Sequence, residues 1–117
     1  MKKKKIICFD LDNTLCNTIK SNYEKSKPIK KNIELLNKLY DNGFYIKIFT
    51  SRYMGRNNEN RLKAKKMGLK ITKKQLIKWN INYNELIFGK PSYDIIIDDK
   101  SLNYKKEWTK DLKKLLL

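Results

Sequence analysis

The chain has 117 residues, 28 Lys or Arg against 12 Asp or Glu, no His, and a formal charge of +16. That length suffices for one folded domain with its own core and leaves nothing for a second. Two cysteines, Cys8 and Cys16, with no Cys-x-x-Cys spacing and no His exclude the usual Cys/His zinc sites. No stretch approaches a membrane span, and too few apolar residues precede Asp10 for a secretory leader, so the expected location is cytoplasmic. The charge is compatible with an anionic partner. Yet the lysines are scattered without interleaved aromatics, and Lys, Asn and Ile are abundant together, as an AT-rich genome produces.

In chain order, residues 5–10 read as a first strand: Ile6, Ile7, Cys8 and Phe9 form an apolar run, with Cys8 a small core residue. It ends in Asp10-Leu11-Asp12-Asn13-Thr14. Residues two apart on a strand share a face, so both carboxylates start on one side of the C-terminal tip, where open α/β sheets place ligands. Like charges that close repel unless a cation relieves them. Pro28 opens a helix on which Ile29, Ile33, Leu36 and Tyr40 recur at helical spacing, and Asn42-Gly43 closes it. The interval 14–28 is too short for an inserted domain. Residues 44–49 read as the second strand, followed by Thr50-Ser51-Arg52. After a polar stretch at 53–58, a helix through Leu62 stops near Gly68, and a second short helix covers 72–79 with Thr72 as its cap. Strands three and four are expected over 86–88 and 94–97, short or uniformly apolar as buried parallel strands are. Gly89-Lys90-Pro91 lies between them, and Asp98-Asp99 ends the fourth. A final helix puts Trp108, Leu112, Leu115 and Leu116 on one face and covers the sheet. The alternation of strands and helices argues for a parallel sheet with helices on its faces.

Four pieces in this order, each ending an apolar run, resemble the haloacid dehalogenase (HAD) superfamily of aspartate-nucleophile phosphatases: Asp10-Leu11-Asp12-Asn13-Thr14, Thr50-Ser51, Lys90 and Asp98-Asp99. The resemblance covers residues 5 to about 104. It implies an α/β fold: a three-layer α/β/α, Rossmann-like core with a central, mostly parallel sheet, one domain over 1–117, and no cap domain. The implied reaction is hydrolysis of a phosphomonoester through an aspartyl-phosphate. Asp10 would be the nucleophile, a carboxylate needing no activating base. Asp12 would act as acid and then base, because with no His a carboxyl group must shuttle the proton. Lys90 would offset charge on the transferring phosphoryl group. Thr50 would donate its hydroxyl to that group, with Ser51 as substitute. The implied cofactor is Mg2+, held by the Asp10 carboxylate, the Asp12 backbone carbonyl and Asp99, with Asp98 beside it.

A looser resemblance, to small capsule-biosynthesis phosphatases, rests on Lys27-Pro28, Thr50-Ser51-Arg52 and Gly89-Lys90-Pro91. It implies a sugar phosphate or similar small metabolite, with Arg52 and then Arg56 gripping a second anionic or hydroxyl-rich part. Two alternatives differ in class: a phosphatase acting on nucleic-acid ends or nucleotides, and a non-catalytic HAD-like binding module. Lysines such as Lys30, Lys31, Lys38, Lys63, Lys65, Lys66, Lys105 and Lys106 recur on nearly every predicted helix. Only weak, non-specific nucleic-acid binding is therefore expected, and no membrane association. Lacking a lid, the site either stays open to a large substrate or is covered by a second subunit of a homo-oligomer.

Overall fold

The computed structural model describes residues 5–104 and 107–117; the lysines at 2–4, Lys105 and Lys106 lie outside them. The elements follow in the order β1 (Ile6–Phe9), β2 (Cys16–Asn17), β3 (Lys27–Pro28), α1 (Lys30–Asp41), β4 (Tyr45–Thr50), α2 (Arg61–Lys78), β5 (Glu85–Phe88) and α3 (Trp108–Leu116). The α/β architecture is the one expected. Strands β1, β4 and β5 form a parallel sheet in that order, and α1 and α2 supply the crossovers that parallel neighbours require. Phe9 stands opposite Ile48 and Thr50 opposite Phe88, so all three strands finish at one edge.

Central β4 alternates cleanly. Ile46, Ile48 and Thr50 are buried while Tyr45, Lys47 and Phe49 are half-buried, so one face carries the main core. There Ile46 and Ile48 join Phe9, Leu36 and Leu39 of α1, Leu76 of α2, and Trp108 and Leu112 of α3 in one cluster. Trp108 reaches Phe9 with ring centroids 6.1 Å apart. The stripe expected on α3 is buried at Trp108 and Leu112, but Leu115 points outward. Among the described residues no helix is long and apolar enough to cross a membrane.

Four expectations need correction. First, residues 61–78 make one helix, not two. Asn60 starts it by accepting from the Lys63 N–H (3.0 Å), and Gly68 lies within it, where a glycine costs about 1 kcal/mol against alanine. The cost has a reason: a Cβ at Gly68 would overlap the Tyr53 ring and touch Phe88. Thr72 is no cap but a buried residue two turns from the helix end. Second, residues 16–28 hold an antiparallel hairpin, Cys16 opposite Pro28 and Asn17 opposite Lys27, with a 3-10 turn at Tyr23–Lys25. Pro28 belongs to its short outer strand, where a missing N–H is tolerated, and α1 begins two residues later.

Third, residues 94–97 form no strand. Beyond Pro91 the Glu59 carboxylate holds the Ser92 N–H (2.8 Å) and hydroxyl (3.0 Å), and the chain then runs irregularly, with Ile95 82% and Ile97 96% exposed. An apolar run becomes a strand only when it finds an edge to pair with, and here it meets none. Fourth, β1 consequently keeps an unpaired edge among the described strands, and Cys8 is exposed instead of buried in the core.

Candidate active site

The site lies beyond the tips of the three parallel strands. β1 ends at Phe9, and the Leu11 carbonyl then accepts from the N–H groups of Thr14 (3.2 Å), Leu15 (2.8 Å) and Cys16 (3.3 Å), coiling the chain into a tight turn. Asn13 takes a left-handed conformation within it (φ 62°), which asparagine tolerates better than most residues. Asn32 of α1 anchors the turn by donating to the Thr14 carbonyl (2.8 Å). Extended geometry thus stops just before the two carboxylates. Asp10 and Asp12 acquire separate partners, and their charges are met by two cations instead of one shared between them.

Asp10 faces Lys90. The ammonium stands 3.3 Å from Oδ1, while the Thr14 hydroxyl donates to Oδ2 at 3.4 Å. The Asp10 side chain keeps 37% of its surface open. Gly89 (φ 104°) makes the turn that brings Lys90 in. At that angle any other residue is strained, and a Cβ would collide with the Arg61 side chain. The Lys90 N–H then donates to the Thr50 carbonyl (3.2 Å), extending the β4–β5 ladder by one step. Burial works against the Lys90 charge, but the Asp10 carboxylate and the Tyr93 hydroxyl outweigh it and raise the pKa above the usual lysine value. Thr50 ends β4 fully buried. Its Oγ1 accepts from the Arg52 N–H (3.1 Å), leaving the hydroxyl proton to be donated elsewhere. Half-buried Ser51 follows it.

Asp12 sits in a denser setting. Arg52 Nε reaches both carboxylate oxygens (3.2 and 2.9 Å), Nη2 reaches Oδ1 (2.9 Å), and the Thr18 hydroxyl donates to Oδ1 at 2.6 Å. Of the two arginines expected to grip substrate, Arg52 is committed to the protein itself. Arg52 has no exposed surface, and its remaining donors go to Thr72, Gln75, Ser26 and Cys16. Exposed Arg56 lies over the Tyr53 ring (4.7 Å) and the Tyr23 ring (5.4 Å) and donates to the Ser21 carbonyl (3.0 Å). Both hold the hairpin against the strand tips. Burial, and after it the Asp12 charge, pushes the Cys16 thiol from 9.0 up to about 11.

Asp98 and Asp99 occupy an exposed turn in which Asp98 Oδ1 accepts from the Lys100 N–H (2.9 Å). The structure does not gather them with Asp10 and Asp12. Among the described residues there is no group of three His, Cys, Asp or Glu able to hold a metal. Magnesium asks for less, since it keeps several waters and often takes one or two carboxylates beside a substrate phosphate. The accessible Asp10 carboxylate meets that demand. The Asp12 carboxylate is committed to Arg52, which leaves its backbone carbonyl as the group it can offer.

Sequence reasoning missed Thr18, Ser26, Thr72 and Gln75. Thr72 and Gln75, three apart on the helical face that also carries Leu76, were a readable signal. Polar side chains buried on a helix need a partner, and Arg52 is that partner.

A family model described as haloacid dehalogenase-like hydrolase matches residues 7–77. The chain belongs to that family. The match takes in Asp10, Asp12, Thr50 and Arg52 and stops before Lys90. Among solved structures, this haloacid dehalogenase-like hydrolase is similar to the crystal structure of a structural-genomics target from Vibrio cholerae. The two share 29% identity over 95% of this chain and 98% of that one, with a TM-score of 0.78. No curated protein matches the chain.

Proposed function

We propose that this hydrolase cleaves the phosphomonoester of a sugar phosphate or similar small metabolite through an aspartyl-phosphate on Asp10, with Mg2+ as cofactor. The observation that carries the reading is the Asp10–Lys90 pair, formed from the tips of the two outer strands of the parallel sheet across the tip of β4, which ends in Thr50. A part-exposed carboxylate and an ammonium on the same carboxylate make a nucleophile and a donor for the oxygens of a phosphoryl group, and the family resemblance offers the Thr50 hydroxyl as the second donor. Asp10 attacks phosphorus, and Lys90 and Thr50 take up the developing charge. Asp12 gives the leaving alkoxide its proton and later takes one from water. The Asp10 carboxylate and Asp12 carbonyl would hold Mg2+, with Asp99, and Asp98 beside it, as the further carboxylates the family resemblance offers. When bound, the ion neutralises charge on Asp10 and the phosphate.

On this reading the protein acts in the cytoplasm without a lid of its own. Its site is open to solvent or covered by another copy of the chain. Lysines lie on α1, α2 and α3 alike, so nucleic acid binds weakly and without catalytic consequence. The test is a screen of phosphorylated sugars, mononucleotides and 5′-phosphorylated oligonucleotides, with Mg2+ and with EDTA. Clear turnover of a small phosphomonoester that EDTA abolishes is expected. Full activity in chelator sinks the magnesium reading. A much higher kcat/KM for the oligonucleotides near physiological salt makes the basic surface a substrate track.

A further inference from the structure

Resting on Asp12 as the acid–base group of that hydrolase, we propose that Arg52 is a positioning residue: its buried guanidinium ties the Asp12 carboxylate to the hairpin of β2 and β3 and to α2, so that the seating of the hairpin sets where Asp12 stands and how fast the proton-transfer steps run.

Three parts of the fold converge on Arg52. From the strand tip come both oxygens of Asp12. From α2 come Thr72 Oγ1 (3.3 Å from Nη1) and Gln75 Oε1. From the hairpin come Ser26 Oγ (3.4 Å from Nη2) and the Tyr23 ring, whose centroid lies 4.9 Å from the guanidinium carbon. Gln75 closes the circuit by donating Nε2 to the Tyr23 carbonyl (2.6 Å). Thr18 closes it again, its hydroxyl 2.6 Å from both Asp12 Oδ1 and Ser26 Oγ. A hairpin displaced from the core would pull on Asp12 through Arg52 and Thr18 together.

The clamp also distinguishes the two oxygens of Asp12. Oδ1 accepts from Arg52 Nη2, Arg52 Nε and Thr18 Oγ1 and is approached by Cys16 Sγ at 3.5 Å, whereas among the described residues Oδ2 accepts from Arg52 Nε alone. A carboxylate oxygen has about two lone-pair directions. Oδ1 is saturated, so Oδ2 is the oxygen with room to exchange a proton. It releases a proton to the leaving oxygen as the phosphorus–oxygen ester bond breaks. It regains one from water as the water oxygen bonds to phosphorus and the Asp10–phosphorus bond breaks, so Asp12 ends as it began. A buried ion pair is in itself weak support for stability. Here the guanidinium fixes the orientation of a carboxylate that must act twice per turnover.

The test uses Arg52→Lys, which keeps the charge and loses the fork, and Gln75→Leu, which removes a support behind the guanidinium and leaves the Arg52–Asp12 pair in place. Phenyl phosphate and p-nitrophenyl phosphate are compared, because nitrophenolate leaves without needing a proton. For phenyl phosphate we expect kcat to fall about 100-fold in Arg52→Lys, at the lower end of what general acid–base action supplies, and less, about tenfold, in Gln75→Leu, with KM changed less than about twofold. With p-nitrophenyl phosphate both variants should release a burst of one nitrophenolate per site and accumulate phosphorylated protein, since only water attack still needs Asp12. Equal slowing of both substrates with no burst, in variants that melt cooperatively, overturns the proposal. A raised KM at unchanged kcat also overturns it, because Arg52 would then serve binding. If Arg52→Lys does not fold, Gln75→Leu decides alone. Failure of the wild type to hydrolyse these esters and every phosphorylated sugar and nucleotide of the screen sinks the phosphatase reading and this proposal with it, whereas normal wild-type turnover beside burst-free variants sinks only this one.

Discussion

The two carboxylates that open the site live in opposite surroundings. Among the described residues Asp10 has two side-chain contacts, at 3.3 and 3.4 Å, and an open side. Asp12 is gripped at both oxygens by a guanidinium with no exposure and by a hydroxyl at 2.6 Å. The comparison separates two roles that the sequence spacing alone merges. A nucleophile must be reachable and lightly held, whereas an acid–base group must be held in one orientation and released on demand. On the proposed function the contrast predicts a division in energy: losses around Asp10 should show in rate, and losses around Asp12 in rate and in stability together.

The sharpest way to break that division is to remove one cation from each side. Lys90→Met should lower kcat by about 10²–10³-fold, as loss of a preorganised donor to a transferring group does. Its effect on the melting temperature should be small, since Asp10 can still meet water. A large loss of stability with near-normal kcat would reverse the assignment. On the other side, Thr72→Val leaves one buried guanidinium N–H without its acceptor and should cost about 1–3 kcal/mol in urea unfolding. An unchanged midpoint would mean that Arg52 repacks and the network is not a unit.

These partners also show where sequence reading stops. The strand-tip positions of Asp10, Thr50 and Lys90 were legible because each follows an apolar run, and a strand tip is set by local pattern. Arg52 read as a substrate-gripping cation because its acceptors on α2 lie 20 and 23 positions away; no local pattern links them. Gly68 read as a helix stop because its purpose, room for the Tyr53 ring, is a tertiary contact. The Ile-rich run at 94–97 read as a strand by composition, but composition cannot specify which edge a strand pairs with. The hairpin at 16–28 escaped because its strands are two residues each, too short for any periodicity.

A smaller effect concerns the thiols. Cys16 belongs to the Asp12 side, and burial followed by the Asp12 charge lifts its pKa from 9.0 to about 11. A folded-state value above the unfolded one contributes stability that is complete below pH 9 and lost as pH rises through 11. Melting temperature should therefore hold steady up to that window and then fall, and Cys16→Ala should lessen the fall. An equal fall in the variant would assign the alkaline loss to other groups. Smallest of all, a thiol reagent at neutral pH should label exposed Cys8 in the native protein and buried Cys16 only after unfolding. Equal labelling of both would show that the hairpin opens freely.

The central claim, that Asp10 is an exposed nucleophile and Asp12 the held acid–base group, is tested most directly by mass spectrometry of protein acid-quenched during turnover of p-nitrophenyl phosphate with Mg2+. Asp12→Asn should show one added phosphate mapping to the peptide that carries Asp10, and Asp10→Asn should show none and turn over below a tenth of the wild-type rate. Phosphate on any other residue, or an active Asp10→Asn protein, would contradict the account.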